Sequence, residues 1–198
     1  MVVNRRYQHP EAKAVLALIA INIIFLIALL VKDNLYVTLG LQSTEWYKEP
    51  WTLVTSLFVH DFPWHILANM FSLYFLGSYL CNIIGDARFC AVYFAGGIIG
   101  NFFYILIEHL LGHPNSLAFG ASGAIFAVAG TFMILAPKMK VLAFPIPIPM
   151  PLWVAIIGGF LLMSFFPGVA WQAHLGGLIV GLIVGFFLRK RKRNIIMF

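Results

Sequence analysis

The chain has 198 residues, of which 62% are apolar and 10% charged, and its mean hydropathy is +0.93. Soluble domains are about half apolar and about a quarter charged, so this composition excludes a soluble globular protein and predicts a multi-span membrane protein. The formal net charge is +6, but the basic residues flank apolar runs, which argues against nucleic-acid binding.

Six apolar segments are long enough to cross a membrane. They lie at about residues 12–31, 64–84, 88–107, 119–136, 151–167 and 171–188. The pattern predicts an all-α, polytopic membrane protein in which residues 1–198 form a single domain of six transmembrane helices. The first segment is longer than the apolar region of a signal peptide and no clear cleavage site follows it, so we expect it to be retained.

The basic residues predict how this bundle is oriented. Eleven of the thirteen Lys and Arg residues lie in the two tails or in the turns near residues 86 and 139, whereas the opposite loops hold two basic and five acidic residues. By the positive-inside rule, both termini are cytoplasmic. The lack of a recognisable targeting extension favours a cell membrane as the location.

The loop between the first two spans, residues 33–63, is too long for a turn and is rich in aromatic residues, among them Trp46 and Trp51. We expect it to fold back onto the membrane interface. A plain aromatic belt explains the same pattern without any specific role. The two cysteines, Cys81 and Cys90, fall near cytoplasmic span ends, where a reducing cytosol disfavours a disulfide, and we interpret them as apolar packing residues.

Three polar residues stand at similar depth inside separate spans. Asn69, Ser122 and His174 each precede the first cytoplasmic charge of their span by about 15 to 17 residues, which corresponds to about 23–26 Å of helix. Unpaired polar groups are costly in a bilayer, so each is a candidate for a functional site. Their shared level predicts that they meet in the outer half of the membrane.

Small residues would let two of these helices approach each other. Gly177 and Gly181 follow His174 along one face of the sixth span, and Gly123 lies beside Ser122 on the fourth. Helix packing alone explains either set of small residues. Together they predict an approach close enough for a hydrogen bond between the serine and the histidine.

A serine and a histidine in contact are sufficient for nucleophilic acyl transfer, because the imidazole accepts the hydroxyl proton on attack and returns it to the leaving amine. His65 and Asn69, four residues apart on one helix face, could donate hydrogen bonds to the developing oxyanion. The backbone N–H of Ser122 would add a further donor. Since no carboxylate stands at this depth to orient His174, we expect a dyad rather than a triad.

Three motifs in this order resemble the rhomboid family of intramembrane serine proteases. They are His65-Ile66-Leu67-Ala68-Asn69, Gly120-Ala121-Ser122-Gly123 and Ala173-His174-Leu175-Gly176-Gly177. The resemblance extends over all six spans and matches the basic six-helix form. Each motif is weak alone, whereas the combination is specific.

The resemblance implies that Ser122 is the nucleophile and His174 its general base. It implies that His65 and Asn69 stabilise the oxyanion, and we assign Gly120 and the Ser122 amide to the same set. His60 matches a family histidine with a structural or hydration role. The family likeness also implies transmembrane protein substrates, a mobile gate formed by span five and residues 167–170, and no cofactor or metal. The oligomeric state is open.

Three positions depart from the commoner family pattern. Thr52 follows Trp51 where many relatives have arginine, Phe126 replaces a tyrosine under the catalytic histidine, and Cys81 replaces a glutamate on span two. Phe126 would keep a ring beneath His174 but lacks the hydroxyl. These changes affect the expected anchoring of the loop and the surroundings of the catalytic residues, while the catalytic set itself is complete.

Two other functions fit part of the pattern. A membrane metalloprotease would use histidines from the set His60, His65, His109, His113 and His174, but no H-E-x-x-H motif occurs. A channel, transporter or membrane chaperone would also place polar residues inside spans. The spans show no inverted repeat, and the polar residues share one depth rather than lining a path across the membrane, which disfavours that reading.

Overall fold

The computed structural model describes residues 12–32, 34–113, 115–143 and 146–195, and it is mainly helical. The helices are α1 (Lys13–Val31), α2 (Leu35–Leu39), α3 (Thr52–Thr55), α4 (Pro63–Ser72), α5 (Ser78–Ile84), α6 (Asp86–Leu110), α7 (Ser122–Leu135), α8 (Leu152–Ser164) and α9 (Trp171–Ile195). A 3-10 turn, Ser56–Phe58, follows α3, and a π-helical turn, Leu73–Gly77, joins α4 to α5. Arg5 and Arg6, assigned to the cytoplasmic N-terminal tail, lie outside the described residues.

The strands form two short antiparallel pairs. β1 (Leu41–Gln42) pairs with β2 (Leu117–Ala118), and β3 (Lys140–Ala143) pairs with β4 (Ile146–Pro151). The first pair ties the loop after α1 to the segment that leads into α7. The second forms a hairpin between α7 and α8.

Four helical segments of the described chain are long and apolar enough to cross a membrane. They are Lys13–Val31, Pro63–Ile84, Asp86–Leu110 and Trp171–Lys190. The chain is therefore a multi-pass membrane protein. The segments predicted as the fourth and fifth spans contain the shorter apolar helices α7 and α8, so the number of six spans stays a prediction.

Several helix boundaries differ from the predicted spans. α6 begins two residues earlier than expected, because Gly85 adopts a φ of 83° and lets the chain turn without a longer loop. α7 begins at Ser122 rather than at residue 119, although the preceding residues include apolar side chains. α9 continues beyond residue 188 to Ile195, since lysine and arginine are good helix formers.

α7 lies at the centre of the bundle. It packs against α6 and α9, and also touches α8 and the π-helical turn. Ten of its residues are buried. Its 14 residues make a helix of about 21 Å, shorter than the roughly 30 Å apolar core of a bilayer. A helix enclosed by protein does not have to reach both surfaces, because its ends are covered by neighbouring segments. The start of α7 therefore lies within the protein.

Small residues set the spacing between α6, α7 and α9. A Cβ atom at Gly177 would overlap the backbone carbonyl of Gly123, and one at Gly181 would overlap that of Ala127. A Cβ at Gly100 on α6 would lie 2.6 Å from the carbonyl oxygen of Ala173 on α9. Any larger side chain at these glycines would push the helices apart.

Cys81 and Cys90 are both free thiols, yet Cys81 is more than an apolar filler. Its thiol donates a hydrogen bond to Asp86 Oδ1 at 2.9 Å, and the same oxygen accepts the N–H of Ala14 at 3.2 Å. This carboxylate links the starts of α1 and α6 to α5. The interpretation as packing residues alone was wrong for Cys81, because the tight turn at Gly85 brings the carboxylate back onto the thiol.

Candidate active site

Ser122 is the first residue of α7, and a tight turn holds it in place. The residue two positions earlier, Gly120, has a φ of 115° and donates its N–H to the carbonyl of Ser56 at 2.8 Å. Asn101 on α6 fixes the other side of this contact, donating from Nδ2 to Ser56 Oγ at 3.0 Å and to the carbonyl of Leu53 at 2.9 Å. The 3-10 turn is thus anchored to α6 and in turn anchors the start of α7.

The Ser122 hydroxyl and the His174 imidazole are in direct contact. Ser122 Oγ lies 2.6 Å from His174 Nε2. The contact follows from the close approach of α7 and α9, since a Cβ at Gly123 would lie only 3.2 Å from the carbonyl oxygen of Ala173. His174 is 5% exposed, whereas Ser122 is partly buried, so the histidine is enclosed while the serine stays open on one side.

His174 is held by ring packing rather than by a carboxylate. Its Nδ1 has no hydrogen-bond partner within the described part of the chain. The Phe126 ring lies 4.8 Å from the imidazole, centroid to centroid, at an interplanar angle of 32°. Phe160 on α8 packs edge-on against Phe126 at 5.8 Å. The phenyl ring therefore limits the motion of His174 without supplying a hydrogen bond.

His65 and Asn69 lie on α4, one helical turn apart, and His65 borders the space beside Ser122. Asn69 is buried and its Nδ2 donates to the carbonyl of His65 at 3.0 Å, leaving the second amide hydrogen free of this bond. A Cβ atom at Gly120 would lie 2.7 Å from His65 Nε2 and 3.8 Å from Ser122 Oγ. Both atoms thus face the volume that the glycine leaves open.

Gly120 leaves this volume open because it has no side chain, but its backbone N–H does not point into the volume as a free donor. Its N–H is engaged by the carbonyl of Ser56, which corrects the expectation that Gly120 belongs to the oxyanion-binding donors. Its contribution is space, because a side chain at this position would collide with the His65 ring. The positive φ also favours glycine at this turn.

His60 is fully buried beside the site. Its ring lies 4.9 Å from that of His65, and its Nδ1 lies 3.4 Å from the carbonyl of Phe58. Burial, assisted by the neighbouring His65, lowers the pKa of His60 to about 3. The ring is therefore neutral at physiological pH. Tyr36 donates its hydroxyl to the His60 carbonyl at 2.9 Å, which places the loop after α1 against this histidine.

The other candidate histidines lie apart from this group. His109 is exposed, and the His113 side chain is 69% exposed. Among the residues that the structure describes, no three His, Cys, Asp or Glu side chains are grouped so as to hold a metal ion. The metalloprotease alternative thus lacks a described ligand set.

Sequence reasoning missed two supporting polar groups. Asn101 lies inside the third span and is buried, so the criterion that selected Asn69 would have found it. Asp61 accepts a hydrogen bond from His65, with Oδ1 2.8 Å from Nδ1, but it had been counted only as an acid of an external loop. The four-residue spacing from Asp61 to His65 was the signal for this contact.

Another buried polar contact that the sequence did not reveal joins α6 to the start of α9. Gln172 Nε2 donates to Glu108 Oε1 at 2.5 Å, and both side chains are buried. Gln172 precedes His174 by two residues, so this bond fixes the helix end that carries the histidine. The charge count had assigned Glu108 to an outer loop, whereas it lies buried near the end of α6.

Comparison with known proteins identifies the family. The family model of the rhomboid domain matches residues 47–191. The chain belongs to the rhomboid family. It is 33% identical over 147 residues to Rhomboid protein 1, mitochondrial, of Saccharomyces cerevisiae, a match that covers 70% of this chain and 42% of the yeast protein. It is 31% identical over 157 residues to the putative rhomboid protease YdcA of Bacillus subtilis, covering 79% of this chain and 74% of that protein.

Rhomboid membership alone does not decide whether this chain is active. Inactive RHOMBOID-like protein 8 of Arabidopsis thaliana is 31% identical over 134 residues, covering 66% of this chain and 36% of the plant protein. The family thus includes a protein named as a protease and one named as inactive. Activity has to be argued from the residues of the site.

Proposed function

We propose that this rhomboid protein is an intramembrane serine endopeptidase that cleaves peptide bonds in or near transmembrane segments of other membrane proteins. The observation that carries the proposal is the 2.6 Å contact between Ser122 Oγ and His174 Nε2 inside the helix bundle. A serine hydroxyl in contact with a histidine is the minimal arrangement for covalent acyl transfer. His65 borders the space beside the serine, where an oxyanion would form, and Asn69 lies one helical turn farther along α4.

In the proposed reaction, Ser122 Oγ attacks the carbonyl carbon of the scissile peptide bond while its proton passes to His174 Nε2. The carbonyl oxygen becomes an oxyanion that accepts hydrogen bonds from His65, Asn69 and the Ser122 N–H. His174 then gives the proton to the leaving amine, and an ester on Ser122 remains. Water attacks this ester with His174 as the base, which releases the new carboxylic acid and restores the hydroxyl.

α8 is the proposed entry gate for a substrate helix. Two residues of α8, Leu152 and Ile156, are buried, in contrast with the enclosed α7. A Cβ at Gly158 or Gly159 would meet nothing within 4 Å. The Phe160 ring meets Phe126, which underlies His174. Outward movement of α8 and of residues 167–170 would therefore uncover the catalytic pair from the side.

The proposed topology has six spans with both termini in the cytoplasm, and the loop at 33–63 lies at the outer interface. The basic residues of the tails and turns support this orientation, and the position of Ser122 at the start of α7 supports a site in the outer half. Transmembrane proteins are the proposed substrates, and a cell membrane is the proposed location.

The proposal predicts that the purified protein cleaves a single-span reporter whose segment carries small, helix-weakening residues near its outer end. We expect the same rate with and without a metal chelator, because the reaction uses only a serine and a histidine. The fragments are measured by gel and mass spectrometry in detergent and in liposomes. Loss of cleavage with the chelator would show a metal mechanism. An intact reporter under all conditions would place this chain with the inactive relatives.

A further inference from the structure

Asp61 lies just before α4 and forms a specific pair with His65. Its Oδ1 is 2.8 Å from His65 Nδ1, and the two side chains are 38% and 22% exposed. We propose that Asp61 is a positioning residue of the oxyanion site: it holds Nδ1 of His65 so that Nε2 faces the oxyanion. This inference rests on the proposed protease function.

The role of His65 depends on which of its two ring nitrogens faces the open volume beside Ser122. The imidazole packs among the rings of His60, Phe62 and Phe119, at centroid distances of 4.9, 5.4 and 6.2 Å. These contacts confine the ring but do not distinguish its two nitrogens. The Asp61 bond does so, because a carboxylate accepts the Nδ1–H and leaves Nε2 toward the open volume beside Ser122.

The number of N–H groups on the His65 ring determines which protonation state the proposed role requires. A neutral imidazole carries one N–H, and here Asp61 takes it. Nε2 can donate to an oxyanion only when the ring carries a second proton. A carboxylate is a stronger acceptor for the Nδ1–H than a neutral group is. No bond to Asp61 forms or breaks in the reaction, and the Nε2 proton stays on His65.

Two other titratable groups face His65 in the described structure. His60 lies edge-on against it from the preceding loop, and His174 on α9 interacts with it electrostatically. A positive charge on either would oppose a cationic His65. Burial keeps His60 neutral, and the base role assigned to His174 requires its neutral form before attack. Asp61 is the acidic residue that contacts His65 within the described part of the chain.

The test compares Asp61→Asn and Asp61→Ala in the reporter assay. Asparagine keeps an acceptor for Nδ1–H but removes the charge, whereas alanine removes both. We expect Asp61→Ala to lower kcat by at least about 10-fold, toward the roughly 10²–10³-fold cost of losing an oxyanion donor. KM should change less than about 2-fold, because the interaction strengthens only in the transition state. Asp61→Asn should recover part of kcat, because the amide oxygen still accepts the Nδ1–H.

Controls separate this role from a structural one. Glu49→Gln, which removes another carboxylate of the same loop, should leave kcat unchanged. In a His65→Ala background, Asp61→Ala should add little further loss, since its effect passes through His65. Thermal unfolding of each variant shows whether it is folded, and the effect of Asp61→Asn with and without His65 decides the question if the alanine variant does not fold.

The possible failures are distinguishable. If the wild type cleaves and Asp61→Ala retains its kcat, or loses it equally with and without His65, the positioning role is wrong while the protease stands. An Asp61→Asn variant with no more activity than Asp61→Ala would also overturn the role of the hydrogen bond. If the wild type neither cleaves the reporter nor reacts at Ser122, the proposed function fails and the role of Asp61 fails with it.

Discussion

Replacing Ser122 with alanine is expected to reduce cleavage of the reporter by about 10³-fold or more, a loss of the size seen when a catalytic serine is removed. Without Oγ, no ester forms and His174 Nε2 loses its 2.6 Å partner. His174→Ala should cause a similar loss, because the hydroxyl is then left without a base. The double variant should be no worse than either single one, since the two residues act as one unit.

Matched controls for these variants exist on the same chain. Ser78→Ala changes a partly buried serine at the start of α5, and His109→Ala changes an exposed histidine. Both should cleave the reporter at the wild-type rate. Thermal unfolding of the Ser122 and His174 variants should resemble that of the wild type. Cleavage that persists in Ser122→Ala would exclude the serine mechanism.

The second large effect is expected at Gly177, a position outside the chemistry. A Cβ at Gly177 would overlap the backbone carbonyl of Gly123, and backbone cannot relax as a flexible side chain does. Gly177→Ala should therefore lower the free energy of unfolding by about 1–3 kcal/mol, and Gly177→Val by more. It should also reduce cleavage, because the separated helices no longer hold Ser122 against His174.

Gly158→Ala on α8 is the matched control, since a Cβ there meets nothing within 4 Å and alanine is the better helix former. Its unfolding midpoint should equal or exceed that of the wild type. Both variants are measured by thermal unfolding in detergent and by the reporter assay. Equal stability of Gly177→Ala and the wild type would show that α7 and α9 do not pack as described.

The sequence predicted the features of this protein that depend on composition and on local periodicity. Apolar runs located the helices, and polar residues within those runs singled out Asn69, Ser122 and His174. That inference works because a bilayer makes unpaired polar groups expensive, so the few that occur stand out. The glycines after His174 further indicated which face of α9 meets α7.

The features that the sequence did not reveal depend on contacts between distant segments. The amide of Gly120 was misassigned because its partner, the carbonyl of Ser56, lies in the loop before α4. The late start of α7 was missed because hydropathy does not register a turn among apolar residues. Asp61 was overlooked for a different reason: charge counting treated it only as an acid of an outer loop, although its spacing from His65 already allowed the contact.

The central claim is that Ser122 is a nucleophile activated by His174 within the membrane bundle. The most direct measurement is to treat the intact protein with a serine-directed fluorophosphonate and to locate the adduct by mass spectrometry. The account predicts one adduct, on Ser122, which disappears in His174→Ala and persists in His109→Ala. An unmodified Ser122, or labelling that does not depend on His174, would contradict it.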